Sequence, residues 1–105
     1  MEYSGSLYRP LEIGKLRIPG NLFLAPLAGY TDRAFRELCY AHGADFCYSE
    51  MVSAEAIARG NEKSLALMKR GDEEQLLGIQ IFLSEPEQAV RALPAVLRHD
   101  PSLID

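Results

Sequence analysis

Asn21-Leu22-Phe23-Leu24-Ala25-Pro26-Leu27-Ala28-Gly29-Tyr30-Thr31-Asp32-Arg33 reads as a buried strand running into a tight loop that opens a helix. Leu22 to Ala25 form a short apolar run, the pattern of a strand covered on both faces in a parallel sheet. Pro26 has no backbone N–H to give a ladder, so the strand ends there. Ala28 and Gly29 are small enough to let another backbone or a flat ligand come close. Thr31 or Asp32 is placed to cap the helix that follows. Ligands of α/β folds gather at this carboxyl end of the strands, so this loop is where function is to be sought.

Upstream, residues 1–10 read as a polar entry segment. Leu11-Glu12-Ile13 and Leu16-Arg17-Ile18 alternate around Gly14-Lys15, which suits a hairpin closed by a type II′ turn. Pro19-Gly20-Asn21 is a further turn. Downstream, a helix is predicted over 32–42, with Ala34, Phe35, Leu38 and Cys39 toward the core and Arg33, Arg36, Glu37 and Tyr40 outward. His42-Gly43 closes it. Asp45 to Ser49 is the second strand.

Ser53 caps a short helix through Ala54, Ile57 and Ala58, and Asn61 caps another carrying Leu65 and Met68. Lys69 to Glu74 is a solvated charged turn. Leu76 to Phe82 is a third strand, apolar throughout except for Gln80. Ser84 followed by Glu87 fits a capping box, with Pro86 in the first turn of a helix striped by Ala89, Val90, Leu93, Val96 and Leu97. Pro94 inside that stripe predicts a kink or an early break. Asp100-Pro101 ends the helix, and Leu103-Ile104-Asp105 begins a fourth strand.

A hairpin followed by alternating strands and helices gives an α/β fold with parallel strands and right-handed crossovers. The expected architecture is the N-terminal part of a TIM (β/α)8 barrel: a hairpin, about three βα units and the start of a fourth strand. Such a barrel takes about 250 residues, and this chain has 105. The expectation is therefore an incomplete barrel whose open sheet edges favour self-association.

The composition, 48% hydrophobic and 25% charged, is that of a globular protein. A net charge of −4 argues against a basic nucleic-acid surface on this segment, so any grip on a polyanion must come from elsewhere. No apolar run has the length of a membrane span, and Met1 to Ser6 lack the features of a secretory signal. Cys39 and Cys47 have neither metal nor redox spacing. A reduced, cytoplasmic protein is the expectation.

Gln80 is the most informative polar side chain, an amide amid Leu77, Ile79, Ile81 and Phe82. An unpartnered buried amide costs about 1–3 kcal/mol. Gln80 therefore either bonds a neighbouring loop backbone or reads the heteroatom edge of a planar cofactor. Pro26, Leu27 and Ala28 offer backbone groups at the first strand's mouth, although turn chemistry alone also accounts for them. Glu50 is either a carboxylate at that mouth or a partner for the first turn of the next helix. His42 and His99 fall at helix C-termini, and Cys39 and Cys47 read as small buried hydrophobes. There is no Walker loop, no Gly-x-Gly-x-x-Gly, no hydrolase elbow and no metal cluster in the sequence.

Leu24-Ala-Pro-Leu-Ala-Gly-Tyr-Thr-Asp-Arg-Ala-Phe-Arg36 resembles the opening signature of the tRNA-dihydrouridine synthases. Ser49-Glu-Met-Val-Ser-Ala54, Arg59-Gly-Asn61 and Gly78-Ile-Gln-Ile-Phe82 follow in that family's order and spacing. The resemblance implies an FMN-dependent TIM barrel followed by a small helical domain. It implies reduction of tRNA uridines to dihydrouridine, with FMN recharged by NADPH or NADH. It places the backbone of Pro26, Leu27 and Ala28 along the flavin ring and the Gln80 amide at its polar edge.

Leu27 stands where the family usually has Met, and Leu83 where Gly is common. The family's catalytic cysteine, a general acid in an Asn-x-Gly-Cys-Pro loop, follows the strand that here ends at Asp105. Neither Cys39 nor Cys47 matches it, so the 105 residues alone are expected to be inactive and not to retain FMN. Two alternatives stay open on the residues alone. One is a non-catalytic, self-associating half-barrel module; the other is a different FMN barrel reductase acting on a free pyrimidine.

Overall fold

The structure is a computed structural model and describes residues 7–105. Of the polar entry segment, residues 1–6 lie outside the described residues. The hairpin forms as its sequence predicts. β1 (Leu11–Ile13) and β2 (Leu16–Ile18) pair antiparallel with Ile13 opposite Leu16, leaving Gly14-Lys15 as the two-residue loop. Gly14 takes φ +58°, a left-handed conformation that a side chain would resist.

β3 (Phe23–Leu24) is followed by α1 (Arg33–Ala41), and β4 (Phe46–Cys47) lies parallel beside β3. Asp32 is the cap of α1, its Oδ1 accepting the Phe35 N–H at 2.8 Å. At the other end Gly43 sits at φ +108°, and the N–H groups of Gly43 and Ala44 return to the carbonyls of Tyr40 and Cys39. This is the Schellman closure that His42-Gly43 suggested.

The chain then forms β5 (Val52–Ser53), α2 (Ala54–Ala58) and α3 (Glu62–Leu67). Ser53 and Asn61 cap these helices as expected, accepting from Ala56 and Ser64. The predicted third strand divides. β6 (Gly78–Ile79) pairs parallel with β8 (Leu103–Ile104), whereas β7 (Ile81–Phe82) pairs parallel with β5. Gln80 is the residue between the two partnerships. A bridge from Tyr48 to Gly78 places the β6 strand beside the β4 strand. Along the chain, each long crossover therefore returns a parallel strand next to the previous one.

α4 (Pro86–Leu97) joins β7 to β8, with Pro86 in its first turn. The expected cap for it fails. The cap is Glu85 with Gln88, not Ser84 with Glu87: Gln88 Oε1 accepts the Glu85 N–H at 3.1 Å and the Ser84 N–H at 2.8 Å. The helix also runs past Pro94 to Leu97 without the early break. The carbonyl that Pro94 cannot serve belongs to Val90, which is exposed, so water can satisfy it.

One apolar cluster joins the helices to the strands. Val52, Ala54, Ile57, Met68, Leu77, Ile79, Ala92 and Val96 are all buried in it. The opposite face of the strands carries a ring cluster, Phe23–Phe46 at 5.4 Å and Phe46–Tyr48 at 5.2 Å between centroids. Gly78 is required on that face, because a Cβ there would fall 2.6 Å from Tyr48 Cδ1 and 2.8 Å from Phe46 Cε2.

Candidate functional site

The loop after β3 is closed on itself. Thr31 is fully buried, and its Oγ1 donates to the Leu27 carbonyl at 3.1 Å while accepting the Leu27 N–H at 3.0 Å. The N–H groups of Tyr30 and Thr31 also return to the Leu27 carbonyl, both at 2.9 Å. Gly29 takes φ +82° at the tip. Of the two residues proposed to cap α1, Asp32 does so and Thr31 instead locks the loop.

Glu50 is the loop's outside anchor. Its Oε1 accepts the Gly29 N–H at 2.7 Å, joining the mouth of the first crossover strand to that of the second. It therefore does not serve the following helix, whose cap is Ser53. A carboxylate on a backbone N–H is a charge-assisted bond, stronger than a neutral one.

Arg36 contradicts its expected outward position. It is fully buried, with Nε 2.7 Å from Glu74 Oε2 and Nη2 3.0 Å from Glu74 Oε1. Nη1 donates to the Thr31 carbonyl at 2.9 Å and Nη2 to the Lys69 carbonyl at 2.9 Å. Glu74 also accepts the Gly71 N–H, so the turn over Lys69 to Glu74 is partly interior rather than solvated. The predicted apolar stripe of α1 is correspondingly displaced: Leu38 is 55% exposed and Phe35 37%. The guanidinium satisfies one backbone carbonyl at each end of its reach, which fixes α1 and the loop before it against the 69–74 turn.

Gln80 stands at the carboxyl end of β6. Its N–H donates to the buried Ser49 Oγ at 3.2 Å, and its carbonyl accepts the Val52 N–H at 2.9 Å. Its side chain does not bond a loop backbone; Nε2 donates to Asp105 Oδ2 at 2.7 Å. Burial, and then the nearby Asp105 carboxylate, push the Tyr48 hydroxyl above its ordinary value. Tyr48, Gln80 and Asp105 thus occupy one end of three neighbouring strands.

Pro26, Leu27 and Ala28 stand at the same end, two strands from Gln80. Strand spacing puts them about 10 Å apart. Among the described residues no hydrogen bond joins that loop to Gln80. Leu27 already spends its N–H on Thr31 and Gly29 on Glu50, whereas Ala28 N–H has no partner among the described residues.

Neither cysteine is placed to act at this end. Cys39 is on α1, and Cys47 is fully buried with its backbone N–H donating to Tyr40 Oη at 2.8 Å. Burial pushes the Cys47 thiol up to about 11, and burial likewise raises the Tyr40 hydroxyl. His42 and His99 each place Nδ1 3.0 Å from the carbonyl of the residue four earlier, ordinary helix-end positions. A recess of about 200 Å³ lined by Pro19, Tyr40, Asp45 and Leu76 lies at the opposite, amino end of the strands. Sequence reasoning missed Thr31 as a loop lock and gave no site role to Arg36, Glu74 or Asp105.

The family model for dihydrouridine synthase (Dus) matches residues 23–105. The chain belongs to the dihydrouridine synthase family. A probable tRNA-dihydrouridine synthase of Treponema pallidum is 46% identical over 103 residues, which is 95% of this chain and 30% of that protein. The tRNA-dihydrouridine synthase B of Vibrio parahaemolyticus is 36% identical over 90% of this chain and 30% of its own length. A probable tRNA-dihydrouridine synthase of Aquifex aeolicus is 39% identical over 82% of this chain and 27% of its own length. The chain spans about 30% of the length of the relatives it matches. Dihydrouridine synthases are TIM barrels, and the mixed α/β structure with its parallel crossovers agrees with that class. No helix among the described residues is long and apolar enough to cross a membrane.

Proposed function

We propose that these residues form the opening portion of the TIM barrel of an FMN-dependent tRNA-dihydrouridine synthase, one that reduces uridine to dihydrouridine in tRNA. The observation that carries the reading is the juxtaposition at the carboxyl end of neighbouring parallel strands. A self-locked loop whose Ala28 N–H has no partner among the described residues stands on one side, and the Gln80 amide on a tied backbone stands on the other.

The donor set suits a flavin. Ala28 offers a backbone N–H, and Gln80 has Oε1 and a second Nε2 hydrogen still to place after its bond to Asp105. Pro26, Leu27 and Ala28 would lie along the ring and Gln80 at its polar edge, with Leu27 replacing the family's usual Met at similar volume. FMN, when bound, supplies hydride transfer, and NADPH or NADH restores it; the protein supplies binding and orientation.

The proton is proposed to come from a cysteine in a loop beyond β8. Cys47 is unsuited to that role, since it is fully buried and out of reach of a substrate. Phosphate-binding residues, a C-terminal helical domain and the basic surface that meets tRNA are assigned to the remainder of a relative-length protein, which is proposed to act in the cytoplasm.

The test is the flavin content of the full natural gene product, purified without added cofactor and denatured to release its chromophore. FMN near one per chain, sharply reduced in Gln80→Ala, supports the reading. A colourless protein that takes up no FMN on titration contradicts it.

A further inference from the structure

Gln80 leaves the strand at the point where it exchanges one partner for another, and both of its backbone groups are held, by Ser49 and Val52. Its side chain therefore starts from a fixed base. The parallel register Gly78 with Leu103 and Ile79 with Ile104 continues to set Gln80 beside Asp105. Two backbone bonds bracket that position, Asp105 N–H to the Ile79 carbonyl at 2.9 Å and Ile81 N–H to the Asp105 carbonyl at 3.0 Å.

The two ends of a glutamine amide are nearly equal in shape and opposite in hydrogen bonding. An ionised carboxylate offers acceptors only, so the nitrogen end must face Asp105, as the 2.7 Å Nε2–Oδ2 contact shows. The oxygen end is thereby turned the other way. We propose that Asp105 is a positioning residue which fixes the orientation of the Gln80 amide, so that this mouth reads a ring edge carrying an N–H donor beside a carbonyl.

The inference rests on the reading of Gln80 as a ligand contact and deepens it. With one hydrogen committed to Asp105, the amide presents Oε1 and its second N–H side by side. Their complement is an imide edge, N–H next to C=O, which flavins and uracils share. Fixing the amide beforehand removes a reorganisation cost from binding. A ligand that covers the pair also lowers the local dielectric and strengthens the Gln80–Asp105 bond. Tyr48, raised by burial and by Asp105, stays neutral on the same face and brings no competing charge near neutral pH.

The test uses the full natural gene product stripped of flavin and titrated with FMN by fluorescence quenching. Asp105→Asn keeps the shape but accepts either amide orientation. It is expected to weaken FMN about three- to tenfold, the loss of roughly one hydrogen bond, and to shift the bound flavin's visible band. In a Gln80→Ala background the same change is expected to have no further effect. Unaltered FMN affinity in Asp105→Asn, with Gln80→Ala weakened, would overturn the positioning role alone. Equal losses from Asp105→Asn in both backgrounds would also overturn it, by showing a general structural effect. Unaltered FMN binding in Gln80→Ala would overturn the flavin reading of this site, most plainly if uridine monophosphate binding fell instead.

Discussion

Arg36 and Glu74 hold the fold together at the residue scale, through a buried two-toothed ion pair whose remaining hydrogens reach the Thr31 and Lys69 carbonyls. Removing one partner strands the other in the interior, at about 3–5 kcal/mol. Arg36→Met or Glu74→Leu alone is expected to lower stability by that amount in urea unfolding, with much of the loss restored when the two are combined. Equal stability of either single variant and the parent would refute the burial of the pair. Sequence did not reveal it, because the carboxylate lies 38 residues from the arginine and both types belong on solvated faces by default. Thr31 and Asp32 were legible as cap candidates, since capping is a local matter; their division of labour was not. Cys47 makes a pH prediction. Its thiol is raised from 9.0 to about 11 in the fold, so the unfolded chain ionises first as pH rises. The fold therefore loses stability between about pH 9 and 11, and Cys47→Ala is expected to flatten that part of the curve.

At the scale of elements, the order of hairpin, strands and helices could be read from periodicity and caps, and the pairing of strands could not. β5 went unseen and the third strand was read as continuous, because partner choice at Gln80 depends on segments 25 to 31 residues away. The stripe of α1 misled for a related reason: its apolar residues are outward in these 105 residues, while Arg36 and the partly buried Tyr40 pack inward. Pro94 in α4 leaves only an exposed carbonyl without a helical partner, so its cost is moderate. Pro94→Ala is expected to stabilise by about 1–2 kcal/mol, the helix gain less the extra entropy of the unfolded chain. A fall in the thermal midpoint would count against a continuous α4. Gly78→Ala is expected to do the reverse, losing about 1–3 kcal/mol as the Tyr48 and Phe46 rings are displaced.

For the whole molecule, the α/β class was legible in the alternation of strand and helix patterns, because that alternation forces parallel strands. Phe35 and Leu38 on α1 are exposed, as are Val90, Leu93 and Leu97 on α4. Patches of this kind are covered by something in a stable protein. The 105 residues expressed alone are therefore expected to self-associate in sedimentation velocity and to bind no FMN; a monomer or a yellow preparation would count against each expectation in turn. The central claim is that the loop from Pro26 to Gly29 and the Gln80 amide belong to an enzyme that reduces uridine in tRNA. Its most direct test is the dihydrouridine content of tRNA, by mass spectrometry, from cells with and without the intact gene. Loss of dihydrouridine at a defined tRNA position, restored by the wild-type gene and not by Gln80→Ala, is the predicted result. In cells whose other dihydrouridine synthase genes are deleted, tRNA that lacks dihydrouridine while this gene is intact and expressed would contradict the account.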